Sequence, residues 1–192
     1  VLTMKKARFG GLFSFCRNHE QTELLFLRPT SAMKIYRTSY DSPLGELTLA
    51  SDGEAIIGLW LENQKHWGAK LLDESIIQPD LAVFDDCARW LDRYFDGERP
   101  SPNELSLAPI GSAFQQKVWA QLCQIPYGAT TTYGDLAQRL HSSPRAVGGA
   151  VGHNPISIII PCHRVVGSQG QITGYAGGVE RKRWLLEFEK SQ

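Results

Sequence analysis

The chain has 192 residues, 42% of them hydrophobic, which suits one or two small domains with a buried core. Its 20 basic and 20 acidic residues give a formal net charge of +0, so the overall charge does not indicate a nucleic-acid partner. No stretch approaches the roughly 20 apolar residues that a membrane span requires, and we expect no membrane association.

The charge is unevenly distributed along the chain. Residues 1–109 carry 12 Lys and Arg against 16 Asp and Glu, whereas residues 110–192 carry 8 against 4. Three bases are consecutive in the C-terminal part: Arg181, Lys182 and Arg183. A local basic surface can attract phosphate even in a neutral protein, although a small excess is usually a solvated face.

The four cysteines, at positions 16, 87, 123 and 162, follow neither disulfide nor zinc spacing. We therefore expect no metal and no cofactor. Scattered cysteines without a signal peptide indicate a reducing compartment and predict a cytoplasmic protein. Cys87 and Cys123 lie on predicted helix faces, where an inert core role is the ordinary one.

The start of the chain imitates a signal sequence only loosely, because glycines interrupt its apolar part and no small-residue cleavage site follows. Met33 is a plausible domain start. The sequence predicts a poorly ordered extension over residues 1–32.

Residues 33–103 predict an N-terminal domain with a small sheet. Two apolar runs flank an Asp-Gly turn at residues 51–53, which indicates a hairpin. Residues 63–80 are ambiguous, and the apolar spacing over residues 81–95 predicts an amphipathic helix. The Gly- and Pro-rich segment 97–103 is a linker by composition, so we place the domain boundary at its end.

Residues 104–192 predict a mainly helical domain. Capping signals at Ser112, Thr132 and Ser143 predict three helices that extend to about residues 123, 140 and 153. The second and third, joined by a short turn, fit a helix-turn-helix. A glycine-rich loop precedes a final helix, predicted over residues 179–190.

Cys162 is the candidate nucleophile. It follows the very apolar segment 156–160 and Pro161, and it precedes His163 and Arg164. Imidazole and guanidinium groups beside a thiol lower its pKa and favour the reactive thiolate. A buried cysteine is more often inert, and the spacing alone names no substrate.

The residues around Cys162 resemble the active-site signature of the O6-alkylguanine-DNA alkyltransferases, also called methylated-DNA–protein-cysteine methyltransferases. The similar segment is Ile160-Pro161-Cys162-His163-Arg164-Val165. The resemblance extends over roughly residues 114–189 and, more loosely, over the N-terminal part. It includes Tyr133, Arg145-Ala146-Val147-Gly148-Gly149-Ala150, Asn154-Pro155, Gly174-Tyr175-Ala176-Gly177-Gly178, and Trp184-Leu185-Leu186 with Glu189.

The resemblance implies an α+β protein, with a small ribonuclease H-like N-terminal domain before a mainly helical active-site domain that contains the helix-turn-helix. It implies DNA repair by direct reversal, in which the Cys162 thiolate displaces guanine from the alkyl carbon of O6-alkylguanine. O4-alkylthymine is a candidate second substrate. The transfer is irreversible and stoichiometric, so each molecule reacts once.

The resemblance also implies catalytic roles. His163 would act through a water as base toward the thiol, and Glu189 would orient that histidine. Asn154 would hold the turn that carries Cys162. Tyr133 would give a proton or hydrogen bond to guanine N3, so that the base does not leave as an anion.

The implied partner is double-stranded DNA that contains O6-alkylguanine, bound by a monomer. A buried thiol cannot reach O6 within a duplex, so the nucleotide must be flipped out at a cost of a few kcal/mol. Arg145 would fill the gap, and Tyr133 would rotate the phosphate. Small residues on the second helix favour the minor groove, with little sequence specificity: Ala146, Gly148, Gly149 and Ala150.

The glycine-rich loop would form the wall of the base pocket, with Tyr175 against the ring and Val165, Ala176 and Gly177 beside it. Some family members have serine where this chain has Ala176, so only the backbone N–H is available to O6. The zinc-binding cluster of some eukaryotic members has no counterpart here. Neither has the cysteine-rich domain of the adaptive-response regulators, so a transcriptional role is not expected.

Two other functions compete with alkyl transfer. A helix-turn-helix protein that only binds alkylated bases would resemble relatives that have lost the cysteine, which Cys162 argues against. A Cys–His hydrolase or redox sensor would leave Arg145 and the basic C-terminal part unexplained. Loss of the thiol only in the presence of DNA would distinguish alkyl transfer from the hydrolase or redox sensor.

Overall fold

The computed structural model describes residues 34–66 and 68–192. The extension predicted over residues 1–32 lies outside the described residues. A sheet-containing N-terminal part is followed by a mainly helical C-terminal part, which confirms the predicted α+β class.

Four strands form the N-terminal sheet in the order β3-β2-β1-β4. They are β1 (Tyr36–Ser42), β2 (Gly45–Ser51), β3 (Ile56–Leu61) and β4 (Ile76–Ile77). The first three pair antiparallel, and β4 adds parallel to β1. The hairpin predicted around residues 51–53 is confirmed: Gly53 has φ of +97°, a conformation that glycine adopts without strain. The ambiguous segment 63–80 contains the short helix α1 (Ala69–Leu72) and β4.

The predicted amphipathic helix is present as α2 (Ala82–Phe95). Its apolar face, which includes Cys87, Leu91 and Tyr94, is buried in a core shared with β2 and β3. Burial raises the pKa of the Cys87 thiol, as expected for an inert core cysteine.

The predicted linker lies against the sheet domain. Trp90 Nε1 donates to the Ser101 carbonyl oxygen at 2.9 Å. Further along, Ile56 N donates to the Ser106 carbonyl at 2.8 Å, and Ala108 N donates to the Ile56 carbonyl at 2.9 Å. The chain therefore stays beside β3 to residue 108, beyond the boundary predicted at residue 103.

The C-terminal part contains four longer helices and a short two-stranded sheet, and the four predicted helices are confirmed. The elements are α3 (Ala113–Leu122), β5 (Thr131–Thr132), α4 (Tyr133–Arg139), α5 (Pro144–Gly152), β6 (Val165–Val166) and α6 (Val179–Ser191). Ser112 and Thr132 form capping boxes, and Ser143 caps α5 before Pro144. Helices α4 and α5 pack together as the predicted helix-turn-helix.

The apolar segment 156–160 joins the two parts of the molecule. Its five residues are at most 2% exposed, as predicted. Leu59 N donates to the Pro155 carbonyl at 2.8 Å, and Ser157 N donates to the Leu59 carbonyl at 2.9 Å, so the segment lies along β3. Ile158 has φ of +69°, which is strained for a β-branched residue.

The consecutive bases of α6 do not form the basic surface that the sequence suggested. Lys182 is fully buried, and its Nζ donates to the Val165 carbonyl at 2.5 Å. Arg181 donates to the carbonyls of Leu44 and Glu62 at 3.2 and 2.7 Å, and so ties α6 to the sheet. Arg183 forms an ion pair within its own helix. Arg181 and Lys182 therefore stabilise the fold, whereas Arg183 remains at the surface.

Of the helices in residues 34–66 and 68–192, none has the length and apolar character that a membrane span needs.

Replacing Arg181 with alanine should lower the free energy of unfolding by about 1–2 kcal/mol, because carbonyl groups between α6 and the sheet lose their donor. DNA affinity should not change. Arg183→Ala is the matched control, since an exposed i,i+3 ion pair contributes only a few tenths of a kcal/mol. Urea denaturation measures both variants, and equal losses would contradict the docking role of Arg181.

Candidate active site

Asn154 holds the segment that carries Cys162. Its Nδ2 donates to the Ile160 carbonyl at 2.8 Å and lies 3.0 Å from Cys162 Sγ, while its Oδ1 accepts from Ile156 N at 3.0 Å. Asn154, just beyond the end of α5, therefore holds the Cys162 turn through both the oxygen and the nitrogen of its amide. The side chain is buried, so these bonds do not compete with water.

Cys162 begins a 3₁₀ turn at the end of this segment and is 4% exposed. Burial raises the pKa of its thiol, and the Asn154 amide and the Lys182 ammonium only partly oppose that effect. The resting thiol is therefore protonated at neutral pH. This corrects the expectation that the adjacent His163 and Arg164 lower the pKa, because both side chains face Glu189.

Glu189 lies at the centre of a buried network. Its Oε1 is 2.8 Å from His163 Nε2, and Arg164 donates to both carboxylate oxygens, at 2.8 and 2.9 Å. Tyr94 Oη donates to Oε1 at 2.8 Å, and Gly128 N donates to Oε2 at 3.0 Å. Burial acts to raise the pKa of Glu189, but the His163 and Arg164 donors outweigh it and hold the pKa well below its ordinary value.

His163 is fully buried, and burial lowers its pKa despite the opposing effect of Glu189. The imidazole is therefore neutral at pH 7. Because Nε2 donates to the ionised carboxylate, Nδ1 is the acceptor nitrogen. Nδ1 is buried and has no hydrogen-bond partner in the described part of the chain. The network thus holds a neutral imidazole with a free basic nitrogen next to Cys162 in the chain.

A cavity of about 920 Å³ opens above the thiol. Most of the predicted site residues line it: Tyr133, Arg145, Gly148, Asn154, Cys162, Tyr175, Ala176 and Gly177. A Cβ at Gly177 would come within 2.9 Å of the Tyr175 ring, so the glycine permits that ring's position. Tyr175 Oη is buried near the Cys162 thiol, and burial and the neighbouring Cys162 raise its pKa well above the ordinary value.

Two predicted contacts lie elsewhere. Val165, predicted to bind substrate, is fully buried in β6 and does not line the cavity; its carbonyl accepts from Lys182. Ala150, predicted to contact DNA, is buried, and its carbonyl accepts from Trp119 Nε1 at 2.8 Å. Ala150 therefore packs α5 against α3. The pattern of small residues along α5 does not distinguish this buried position from the exposed ones.

Tyr133 stands beside the thiol because β5 pairs with β6, which places the first turn of α4 next to the Cys162 turn. Thr173 Oγ1 donates to Tyr133 Oη at 3.3 Å, so the phenolic proton is left for a further acceptor. Burial raises the pKa of Tyr133 and keeps the hydroxyl protonated. Tyr133 can thus act as a donor into the cavity.

Lys182 is a site residue that could not be predicted from the sequence, where it stands out only as one of three consecutive basic residues. Its Nζ lies 5.9 Å from the centre of the Tyr133 ring. Burial lowers its pKa to about 8. Its ammonium also acts to lower the pKa of Cys162, which places a positive charge near the nucleophile.

The loop after β3 also lines the cavity, through Asn63, Lys65 and His66, none of which was predicted. Lys65 N donates to the Ala176 carbonyl at 2.9 Å. The His66 ring stacks on His153 at 4.0 Å between centroids. The polar, aperiodic sequence of this loop carries no signal for these contacts, which join segments far apart in the chain.

Helix α5 presents its first turns beside the cavity mouth. Arg145, Ala146 and Gly149 are exposed. A Cβ at Gly149 would meet no atom within 4 Å, and one at Gly148 would make only ordinary contact with Tyr133 at 3.8 Å. Packing inside the protein therefore does not require this glycine pair.

The site can deprotonate a buried thiol, donate a proton from Tyr133 and enclose a planar base. In residues 34–66 and 68–192, no three His, Cys, Asp or Glu side chains cluster as they would around a metal ion.

Comparison with known families gives two matches that together span most of the chain. The family described as "6-O-methylguanine DNA methyltransferase, ribonuclease-like domain" matches residues 35–109. The family described as "6-O-methylguanine DNA methyltransferase, DNA binding domain" matches residues 113–191. The predicted ribonuclease-like N-terminal domain agrees with the first of these.

Individual relatives match over similar spans. The methylated-DNA–protein-cysteine methyltransferase of Haemophilus influenzae is 45% identical over 158 residues, covering 81% of this chain and 87% of that protein. The relative of the same name from Mycobacterium bovis is 44% identical over 165 residues, with 82% and 93% covered.

Among solved structures, the Mycobacterium tuberculosis protein OGT in complex with DNA superposes with a TM-score of 0.74 at 42% identity, covering 81% of this chain and 93% of that one. With two family matches that span both parts of the molecule and relatives above 40% identity over most of its length, the chain belongs to the 6-O-methylguanine DNA methyltransferase family.

Proposed function

We propose that this protein repairs DNA by transferring the alkyl group of O6-alkylguanine to its own Cys162. The observation that carries this proposal is the position of the thiol at the base of a cavity, with the His163–Glu189 pair behind it and Tyr133 beside it. The names of the relatives, which are methylated-DNA–protein-cysteine methyltransferases, support the same reaction.

The reaction begins with deprotonation of Cys162. We propose that a water relays the thiol proton to His163 Nδ1, the basic nitrogen that Glu189 leaves free. The resulting imidazolium is stabilised by the Glu189 carboxylate, and the thiolate by the Lys182 ammonium and the Asn154 amide. The two new charges form close together, which limits the cost of creating them in a buried site.

The thiolate then attacks the alkyl carbon from the side opposite O6. A carbon–sulfur bond forms as the carbon–oxygen bond breaks, and its electron pair passes to guanine. Tyr133 donates a hydrogen bond or proton to guanine N3, so the leaving base does not carry a full negative charge. The products are a repaired guanine and a thioether on Cys162. A thioether is chemically stable, so each molecule acts once.

DNA enters through the helix-turn-helix. Arg145 lies at the N-terminal turn of α5 and lines the cavity, where it can fill the stack after the damaged nucleotide leaves it. The exposed Ala146 and Gly149 allow close approach of a narrow groove, which supports minor-groove binding with little sequence preference. We propose that a monomer binds duplex DNA in this way, and that the protein works in the cytoplasm, as its scattered cysteines suggest.

Cys162→Ala should abolish alkyl transfer and leave DNA affinity near that of the wild-type protein. The measurement is the intact mass after incubation with a duplex that carries one O6-methylguanine, followed by peptide mapping. Wild type should gain one methyl on the Cys162 peptide. Cys123→Ala is the control and should react normally. A methyl found on another cysteine, or none with the DNA bound and the thiol reduced, would reject Cys162 as the acceptor.

Arg145→Ala should slow repair of a duplex by roughly tenfold or more, because base flipping costs a few kcal/mol and Arg145 offsets part of it. Reaction with the free modified base, which needs no flipping, should change little. Arg139→Ala removes the same charge from an exposed position outside the cavity and serves as control. Equal slowing on duplex and free base would remove Arg145 from the flipping role.

Enlarging Gly149 in the series Ala, Val, Leu should weaken duplex binding step by step, since each side chain occupies the space that we assign to DNA. The Ala variant should be about 0.5–1 kcal/mol more stable than wild type, because glycine is unfavourable inside a helix. Fluorescence anisotropy and thermal melts measure the two effects. Unchanged DNA affinity in the Leu variant would place the DNA elsewhere.

A further inference from the structure

Tyr94 is a buried residue of α2 whose hydroxyl reaches into the active-site network from the N-terminal domain. It is 1% exposed, and its Oη donates to Glu189 Oε1 at 2.8 Å across a separation of 95 residues. Burial and the Glu189 charge raise its pKa well above the ordinary value, so the hydroxyl stays a donor at every working pH.

The ring of Tyr94 is fixed by aromatic neighbours from both parts of the molecule. It stacks on Trp90 at 5.6 Å between centroids and meets Phe188 at 5.8 Å and Tyr127 at 5.9 Å. Packing of the ring therefore fixes the direction in which the Tyr94 hydroxyl points. A hydrogen bond from a fixed donor restricts its acceptor more than one from a mobile side chain.

The acceptor is the oxygen that meets His163. Glu189 Oε1 accepts from Tyr94, His163 and Arg164, whereas Oε2 accepts from Arg164 and Gly128. Among these donors, Tyr94 alone comes from the N-terminal domain. Without it, Oε1 would keep two donors and the carboxylate four hydrogen bonds in all, so its orientation toward His163 would be less tightly fixed. Its negative charge would also concentrate on the bonds to His163 and Arg164.

We propose that Tyr94 is a positioning residue for alkyl transfer: it orients Glu189 toward His163 and shares the carboxylate charge, so the N-terminal domain supplies part of the catalytic network. This inference rests on the function proposed above. It gives the N-terminal domain a chemical role in addition to covering the core, and it predicts a defect in the chemical step with normal DNA binding.

The test compares Tyr94→Phe with Tyr40→Phe. Both variants keep the aromatic ring and lose one hydrogen bond from a tyrosine hydroxyl to a carboxylate. In the control, Tyr40 Oη donates to Asp92 Oδ1 of α2 at 2.7 Å, at an exposed position outside the Glu189 network. Tyr94→Phe should lower the rate of methyl transfer at saturating duplex about tenfold, the usual effect of one hydrogen bond to a charged group. Tyr40→Phe should stay within about twofold of wild type. Duplex affinity should be unchanged in both.

The pH profile separates positioning from general stability. Without the Tyr94 bond, His163 feels a more concentrated negative charge and its pKa rises. The neutral imidazole then appears at higher pH, so the acidic limb of the rate profile should move to higher pH in Tyr94→Phe and stay in place in Tyr40→Phe. Thermal melts establish that each variant is folded at the assay temperature.

A double-mutant cycle distinguishes an effect that acts through Glu189 from a general loss of stability. If Tyr94 acts through Glu189, the substitution should cause no further slowing in a Glu189→Gln background. Equal slowing in both backgrounds, or a Tyr94→Phe rate and pH profile equal to those of Tyr40→Phe, would overturn the role of Tyr94. Failure of the wild-type protein to methylate Cys162 would overturn the proposed function instead, and the intact mass reports that result separately.

Discussion

The buried carboxylate of Glu189 is the interaction on which the rest of the site depends. An ionised carboxylate is stable inside a protein only when donors satisfy it, and here five bonds from four residues do so. Those residues come from α2, the loop before β5, and the turn that begins at Cys162. The same carboxylate therefore orients the His163 ring, balances the positive charge of Arg164 and links the two domains through Tyr94.

The chain around Cys162 is held in a conformation that it would not adopt alone. Asn154 closes the turn from within, β3 pairs along segment 156–160, and Ile158 has a positive φ. Backbone strain of this kind persists because the surrounding hydrogen bonds and packing offset its energetic cost. The N-terminal sheet thus holds the nucleophile in place as well as burying apolar surface.

Much of this architecture could be predicted from local sequence. Capping residues at Ser112, Thr132 and Ser143 act within one helical turn, so their effect is visible without a structure. The direction of His163 and Arg164, the burial of Lys182 and the contact of Tyr94 with Glu189 could not be predicted. Each depends on a partner remote in sequence. Charged residues adjacent to a cysteine in the chain need not face its thiol, and His163 and Arg164 face Glu189 instead.

The raised pKa of Cys162 matters most to a protein that is consumed by its own reaction. An ionised, accessible thiol would be lost to oxidants and stray electrophiles long before it met a lesion. A buried, protonated thiol reacts slowly with both. Under the proposed mechanism, the sulfur becomes nucleophilic once its proton moves to His163, and until then the buried thiol stays unreacted. The same burial that restricts the thiol to its substrate therefore also lengthens the lifetime of the unreacted protein.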